Sequence, residues 1–596
     1  EEARAELDIR FSIGGEGETV RCPADGTIVA GDRLRALVAG CGEVSSEGDG
    51  VRFGAQLAAG AAASAVVKIP YVWLGEDEVA ALWALNFEAE RSAVAAYWRR
   101  RMDEGMALAT GEPMLDEFHR AHAGHLLINC ERSPEADTRF ARVGSFSYGA
   151  FGNESCMMVV DLDRRGYHDE ARECLEAFLQ GQGTVALPGD FASREGILYG
   201  ARGYERGGYN QHHGWILWCL VEHYRFTRDD AWLERIAPNV LAASDWIVRE
   251  RGRTLERDDP GRGLLPHGSL EDIGDWWQWL PTNAYTWRGL DAAAWGLGVL
   301  DHPEAERLCG EADAYRESIV QGFTSAAERS PVVRLRDGTC VPHFPSHVHR
   351  RGRSFGWICE TLEGAIHLLI AGVIDPGSRE ADWILRDFED NLYLSDAYGY
   401  RIDDFDSEWF DCGGFSMQAC LLLGVEPYLY RDEVKPALRA TFNAIAANLY
   451  PDTRMLTEHA LPELGDWKGD HYKSSDEANA AGWLRYLFVR EQGDELLLGQ
   501  AVPCEWLGPG RRCGVERAAT HFGPMDLVFE GDEDGVTARL EGPRRNPPTR
   551  IQLRFRCPEG RELRGVKVNG ENRQVGEAGW IDLPGRVGNA TIRASY

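Results

Sequence analysis

The sequence predicts a multidomain, mainly α protein: an (α/α)6 toroid flanked by N-terminal and C-terminal β-sandwich-like domains. Three observations carry this. Helical periodicity, with apolar residues three and four apart, recurs in some twelve segments between Pro113 and Gln492. The links between those segments alternate between short and long. Both ends of the chain instead read as short strands between glycine-rich turns.

In chain order, residues 1–75 form a β-rich domain, with RFSIGG, GVRFGAQL and SAVVKIPYVW as strands, and residues 76–112, containing FEAERSAVAAYWRRRMDEG, form a helical linker. Residues 113–495 hold the toroid, with helices expected near 113–129, 153–165, 168–182, 210–226, 229–250, 282–300, 302–325, 356–372, 378–392, 408–424, 431–449 and 475–491. Residues 496–596 carry MDLVFEG, GVTARLEG, RIQLRFRC, GVKVNG and ATIRASY and form a C-terminal β-sandwich domain. Short links such as Arg165 to His168 and Thr227 to Asp229 make antiparallel hairpins, so the long loops near 131–152, 183–209, 251–281, 326–355, 393–407 and 450–474 collect at the other end. The glycine- and tryptophan-rich helices that follow those loops, as in SEWFDCGGFSMQACLLLG, form the inner ring. Partners with a polar face, such as RDEVKPALRATFNAIAANL, form the outer one.

Composition narrows the function. At 596 residues and 44% hydrophobic content the chain is a large globular protein, and no run of about twenty apolar residues is present to span a membrane. A net charge of -31 with only short arginine runs excludes nucleic acid as a partner. Lysine is confined to Lys68, Lys435, Lys468, Lys473 and Lys567. Cys156, Cys174, Cys219, Cys359 and Cys420 fall on apolar helix faces as small hydrophobes. No CxxC pair exists, and PSHVHRR, with His347 and His349, reads as a solvated loop, so no metal and no cofactor is expected. The chain starts at Glu1 almost directly in strand-like sequence, which suggests a processed or trimmed N-terminus; secreted, periplasmic and cytoplasmic locations all fit.

The third long loop carries the chemistry. GLLPHGSLEDIGDWWQWLPTNAY places Glu271, Asp272 and Asp275 among Trp276, Trp277 and Trp279 ahead of a helix. Indole faces stack on the apolar faces of sugar rings, while a carboxylic acid protonates a glycosidic oxygen. A carbohydrate is therefore the expected partner. Packing of an acidic helix start against a Trp cluster explains any single one of these residues equally well.

These features resemble the six-hairpin, (α/α)6-barrel glycosidases and sugar phosphorylases, a group with α-L-rhamnosidases, glucoamylases and glucosidase I type enzymes. Asn210 to Leu233, NQHHGWILWCLVEHYRFTRDDAWL, is similar to the recurring helix-turn-helix of these barrels. Asp275 to Leu290, DWWQWLPTNAYTWRGL, is similar to the segment around the phosphorylase acid, and Gly469 to Leu487, GDHYKSSDEANAAGWLRYL, resembles the last inner helix of the rhamnosidases. The resemblance implies an acid from the loop before the third inner helix and a base from the loop before the sixth. Glu271 and Asp275 are then alternative proton donors, and Glu458 is the base, with Glu463 as runner-up. Asp476 and Glu477 would cap the last helix. His212, His213, Tyr148, Trp357, Glu360, Glu408, Trp409, Trp467 and His471, with Trp276 and Trp277, would bind substrate.

An inverting hydrolase needs its two carboxyls roughly 6.5 to 9.5 Å apart, which opposite sides of a toroid supply, and a donor kept protonated by desolvation or neighbouring carboxylates. Inverting glycoside hydrolysis of an oligo- or polysaccharide is the leading reading. A polysaccharide lyase drawing on Tyr209, Asn210, His212 and His213, a sugar phosphorylase, and a non-catalytic carbohydrate-binding protein are the alternatives. The resemblance to rhamnosidases is imperfect, because their acid position falls near Pro281.

Overall fold

The computed structural model describes residues 5–596 except 14–16, 24, 41, 48–49, 133–137, 146–147, 200–208, 271–272, 336, 354–363, 394–418, 420–423, 462–465, 469–470 and 558–560. The chain divides into two compact units, Glu1–Arg101 and Met102–Tyr596.

In the first unit, two three-stranded antiparallel sheets share one apolar core. Ala5–Ser12, Gly50–Leu57 and Glu43–Glu47 make one sheet; Thr27–Ala30, Arg33–Gly40 and Ala65–Lys68 make the other. Val51 of the first and Ile28, Ala36 and Val38 of the second meet in that core. Alternating buried and half-buried positions in GVRFGAQL are the pattern of a sheet with one face inside. Helices α1 (Glu76–Ala84) and α2 (Phe87–Glu104) follow.

The second unit is built of helices: α3 (Pro113–Asn129), α4 (Gly152–Arg165), α5 (His168–Gly181), α6 (Gln211–Thr227), α7 (Asp230–Gly252), α8 (Leu280–Val299), α9 (Ala305–Arg329), α10 (Ile366–Ile370), α11 (Arg379–Tyr393), α12 (Val425–Tyr430), α13 (Val434–Asn448) and α14 (Ser474–Phe488). Their packing separates two kinds. α6, α8 and α14 are buried around nearly their whole circumference, whereas α9 buries one stripe, Leu308, Ala312, Tyr315, Ile319 and Phe323, at the three-four spacing of an amphipathic helix. α14 packs on α4, α4 on α6, and α6 on α8. The α6–α8 contact is close because Gly214 faces Gly289: a Cβ on Gly214 would stand 2.4 Å from the Tyr285 carbonyl carbon.

The tight turns that reverse the chain between helices each contain a residue with positive φ: Gly166, Arg228, Asp301, Gly372 and Asp432. That left-handed step ends a helix and frees its last carbonyls for capping, as when the Gly166 N–H donates to Asp163 and Leu162. The long loops meet at the opposite end. Ser145 donates to the His471 carbonyl, Gly189 bridges Gly268, and Trp279 bridges His347, so adjacent loops are stitched together there. Residues of α4, α6, α8, α10, α12 and α14 line a single central cavity.

Two elements depart from expectation. The helix expected at 475–491 stops at Phe488, because Val489–Gln492 becomes a strand paired with Glu495–Leu498. The link expected between Gly424 and Arg431 is the short helix α12, which moves the turn to Asp432.

The C-terminal strands form a four-stranded sheet and a seven-stranded sheet. Phe529 of the larger meets Phe555, which follows the smaller, edge to face at 5.8 Å. The strand Ala107–Ala109, which precedes α3, closes one edge of the larger sheet by pairing with Arg512–Ala518. No described helix is long and apolar enough to cross a membrane.

Candidate active site

Where the first and last long loops meet, Glu458 sits in the loop between α13 and α14, just before the strand His459–Leu461. Its Oε1 accepts from Lys473 Nζ at 3.1 Å and its Oε2 from the Tyr148 hydroxyl. Lys473 also lies 3.0 Å from Glu154 Oε2 and 4.0 Å over the Tyr148 ring, and Ser475 donates to Glu154. Lys473 is only 1% exposed. Burial would lower its pKa, but Glu154 and Glu458 outweigh that and raise it well above the usual lysine value. The ammonium therefore persists and is shared between the two carboxylates. Burial pushes the Tyr148 hydroxyl up, and Glu458 adds to this against the opposing pull of Lys473, so the phenol keeps its proton and donates.

Behind this cluster lies a buried charge network. His122 of α3 bonds Glu477 of α14 through Nδ1 at 2.7 Å and Asp161 of α4 through Nε2 at 3.0 Å; Arg165 bonds the same Asp161 at 2.7 Å, and His125 reaches Glu477 at 3.1 Å. Burial would raise the Glu477 carboxyl, yet His125 and His122 hold it down at about 2. Burial opposes charge on His122, but Asp161 and Glu477 prevail and raise its pKa. Glu477 then accepts from the Leu456 N–H at 3.0 Å, and the Leu456 carbonyl accepts from the Lys473 N–H at 3.2 Å. The network thus fixes the backbone two residues before Glu458. Expected to be a solvated helix cap, Glu477 is instead fully buried, because its carboxylate is enclosed by α3 and the Glu458 loop. Asp476 is equally buried.

His122, His125 and Glu477 present three ligand atoms within 4.8 Å of one another, so this is the place among the described residues that could hold a metal ion. Imidazole–carboxylate hydrogen bonds already engage all three groups.

The acid-bearing segment is a β-hairpin rather than a loop running straight into a helix: Gly268–Leu270 pairs with Ile273–Trp277. Trp279 anchors it by donating from Nε1 to the Gly268 carbonyl at 3.0 Å. Trp277 stacks on His347 with centroids 4.7 Å apart, and burial with Arg350 and His349 lowers His347 to about 3. His349 bonds Gln278 at 3.0 Å. PSHVHRR is therefore packed beneath the hairpin and is not the solvated loop its composition suggested. Asp275 is exposed and Trp276 is 46% exposed.

Other expected ligands fall in three groups. Tyr148 joins Glu458, and the His471 carbonyl receives both the N–H and the hydroxyl of Ser145. His212 is fully buried against Tyr209, with the Gly152 N–H on its Nδ1 at 3.3 Å. At His213, Leu198 N–H donates to its Nδ1 at 3.0 Å and its Nε2 bonds the Ala243 carbonyl at 3.3 Å, so both nitrogens hold α6 to neighbouring backbone. Glu271, Glu463, Trp357, Glu360, Glu408 and Trp409 lie outside the described residues, and of Trp467 only its place in the strand Asp466–Lys468 is described.

Lys473, Glu154, His122 and Asp161 escaped sequence reasoning. Lys473 could have been singled out as one of just five lysines, and HRAHAGH, which sets His119, His122 and His125 three apart, marks one helix face.

No protein-family model matches this sequence, and no curated protein does either. Solved structures match the fold. An α-L-rhamnosidase from Dictyoglumus thermophilum aligns over 100% of this chain and 61% of its own length, with TM-score 0.53 and 10% identity. A bacterial glucoamylase complexed with acarbose aligns over 81% and 77%, with TM-score 0.50 and 10% identity. A GH78 family rhamnosidase of Bacillus sp. GL1 aligns over 94% and 52%, with TM-score 0.50 and 13% identity. The chain thus shares its fold with these glycosidases and spans 61% and 52% of the length of the two rhamnosidases.

Proposed function

We propose that the protein is an inverting glycoside hydrolase built on a closed (α/α)6 toroid, acting on an oligo- or polysaccharide. The observation that carries this reading is Glu458, paired with the ammonium of Lys473 at 3.1 Å and oriented by the Tyr148 hydroxyl at the end where the long loops meet. An ionised, oriented carboxylate is what a general base needs to activate a water on one face of a sugar ring. The central cavity lined from six helices supports the closed ring, and the glycosidase neighbours support the substrate class. The acid comes from the hairpin segment that carries Glu271 and Asp275, and Trp276 offers an exposed indole for a sugar face.

Lyase chemistry draws no support from His213 or Tyr148. His213 has both nitrogens committed to backbone, and Tyr148 holds its proton.

The test is a screen of aryl glycosides and plant, algal and microbial polysaccharides, followed by NMR of the first product. The expected result is a product of inverted anomeric configuration whose formation Glu458→Gln abolishes. Retained configuration, or unsaturated uronate products absorbing in the ultraviolet, would overturn it.

A further inference from the structure

The central cavity, about 560 Å³ in volume, extends from the middle of the inner helices to their C-terminal ends, away from Glu458. Along α4 alone, Glu154 and Arg164 are ten residues apart, on the order of 15 Å at helical rise. The volume lies within the span of ordinary small-molecule sites.

Its wall is not that of a dry core. Arg288 stacks over Trp218 at 3.9 Å and makes no hydrogen bond or ion pair with any described residue. Asp291, one helical turn further along α8, is exposed to the cavity and likewise has no such partner; burial raises its pKa. The Nε atoms of Arg164 and Arg225 are buried without a hydrogen-bond acceptor, and that of Arg225 is held only by a long ion pair to Glu222 at 4.0 Å. Other charges are already met: His521 bonds Glu222 at 2.7 Å, and Arg485 bonds Glu491 at 2.7 Å. Uncommitted donors and an uncommitted acceptor therefore converge beside Trp215 and Trp218, which meet edge to face at 5.5 Å.

Arg164, Arg225 and Arg288 face Glu222, Asp291, Glu426 and Glu491 across this space, so the wall has nearly balanced charge. A small anion would meet Asp291 and Glu426, and a cation would meet Arg288. A neutral polyhydroxylated molecule suits both, since one hydroxyl accepts from the guanidinium while its neighbour donates to the carboxylate, and an indole takes the apolar face of the ring.

We propose that this cavity is a second, non-catalytic site for a neutral mono- or disaccharide, at the end of the inner helices remote from Glu458. The proposal concerns binding alone and stands whether or not Glu458 is a hydrolytic base.

Calorimetric titration of the Glu458→Gln protein with D-glucose, D-galactose, D-mannose, L-rhamnose, maltose and D-glucuronate tests it, with Arg288→Met and Asp291→Asn added in turn. Circular dichroism and melting report folding. At least one neutral sugar should bind with a component that either added change weakens about tenfold or more, the scale of one charged hydrogen bond. Asp291→Asn, which is isosteric, serves if Arg288→Met does not fold. Identical titrations in parent and variants, no binding by any panel sugar, or binding of glucuronate alone would each overturn the proposal.

Discussion

Lys473 Nζ stands 3.1 Å from Glu458 Oε1 in a wall that leaves the lysine 1% exposed. The same ammonium is 3.0 Å from Glu154, so one buried cation serves two carboxylates on different elements, the Glu458 loop and α4. Remove the cation and two anions share a desolvated site, where one must take up a proton.

Lys473→Met therefore has two expected effects. Breaking a buried ion pair from one side costs about 3 kcal/mol or more, because the remaining charges stay uncompensated. Turnover near neutral pH also falls, since the Glu458 carboxylate loses the cation that pairs with it. Urea unfolding and kcat measured on the same preparation check both. A variant of full stability and full activity would show that the lysine is dispensable.

The proton donor can be identified by leaving-group chemistry. A general acid matters most when the departing oxygen is basic and little when it is already a good leaving group. If Glu271 is the donor, Glu271→Gln should depress kcat/KM for alkyl glycosides by about 10²- to 10⁴-fold while sparing dinitrophenyl glycosides. Asp275→Asn should then lower both substrates equally and modestly. The exposure of Asp275 on the hairpin favours this order of effects, and the reverse pattern would assign the proton to Asp275.

The buried network should make stability depend on pH from both sides. Glu477, lowered from 4.5 to about 2, adds stability that is complete above pH 4.5 and lost as pH falls toward 2. His122, raised above 6.5, adds stability that is complete below pH 6.5 and lost as pH rises through its folded value. Both contributions are present together between those limits. Urea unfolding of wild type and His122→Gln across pH should give a difference that is largest at pH 4.5 to 6.5 and shrinks above it. A difference that grows with pH would mean that His122 is neutral in the fold. Because Glu477 fixes Leu456, Glu477→Gln should lower kcat more than it changes KM, the mark of a positioning residue.

The helices were legible because burial of one stripe imposes a three-four spacing on residues such as Leu308, Ala312 and Tyr315. Their hairpin links were legible because short connections leave the chain no choice but to reverse. The hairpin at Asp275 was hidden, since its pairing depends on Gly268 and Trp279 rather than on alternation within IGDWW. The network around Glu477 was hidden for a related reason: Glu477 and His122 are 355 positions apart, and local spacing places Glu477 at a helix start without saying what faces it. Glu458 was singled out by its resemblance to a known position, while its partner Lys473 is evident only in three dimensions.

His213 offers a clean test of a residue that sequence reasoning assigned to substrate. Burial lowers its pKa to about 4, so the fold holds it neutral, accepting at Nδ1 from Leu198 and donating from Nε2 to Ala243. The unfolded chain takes up a proton near pH 6.5 and the folded one does not until about pH 4, so stability due to the neutral form is complete above 6.5 and drains as pH falls. By pH 5 the loss amounts to about 2 kcal/mol. Glutamine also offers one acceptor and one donor but does not titrate. His213→Gln should therefore be close to wild type in turnover, and its urea unfolding should lose less stability than wild type between pH 7 and pH 5, by roughly that amount. A large rise in KM with an unchanged pH dependence would instead return His213 to the sugar site.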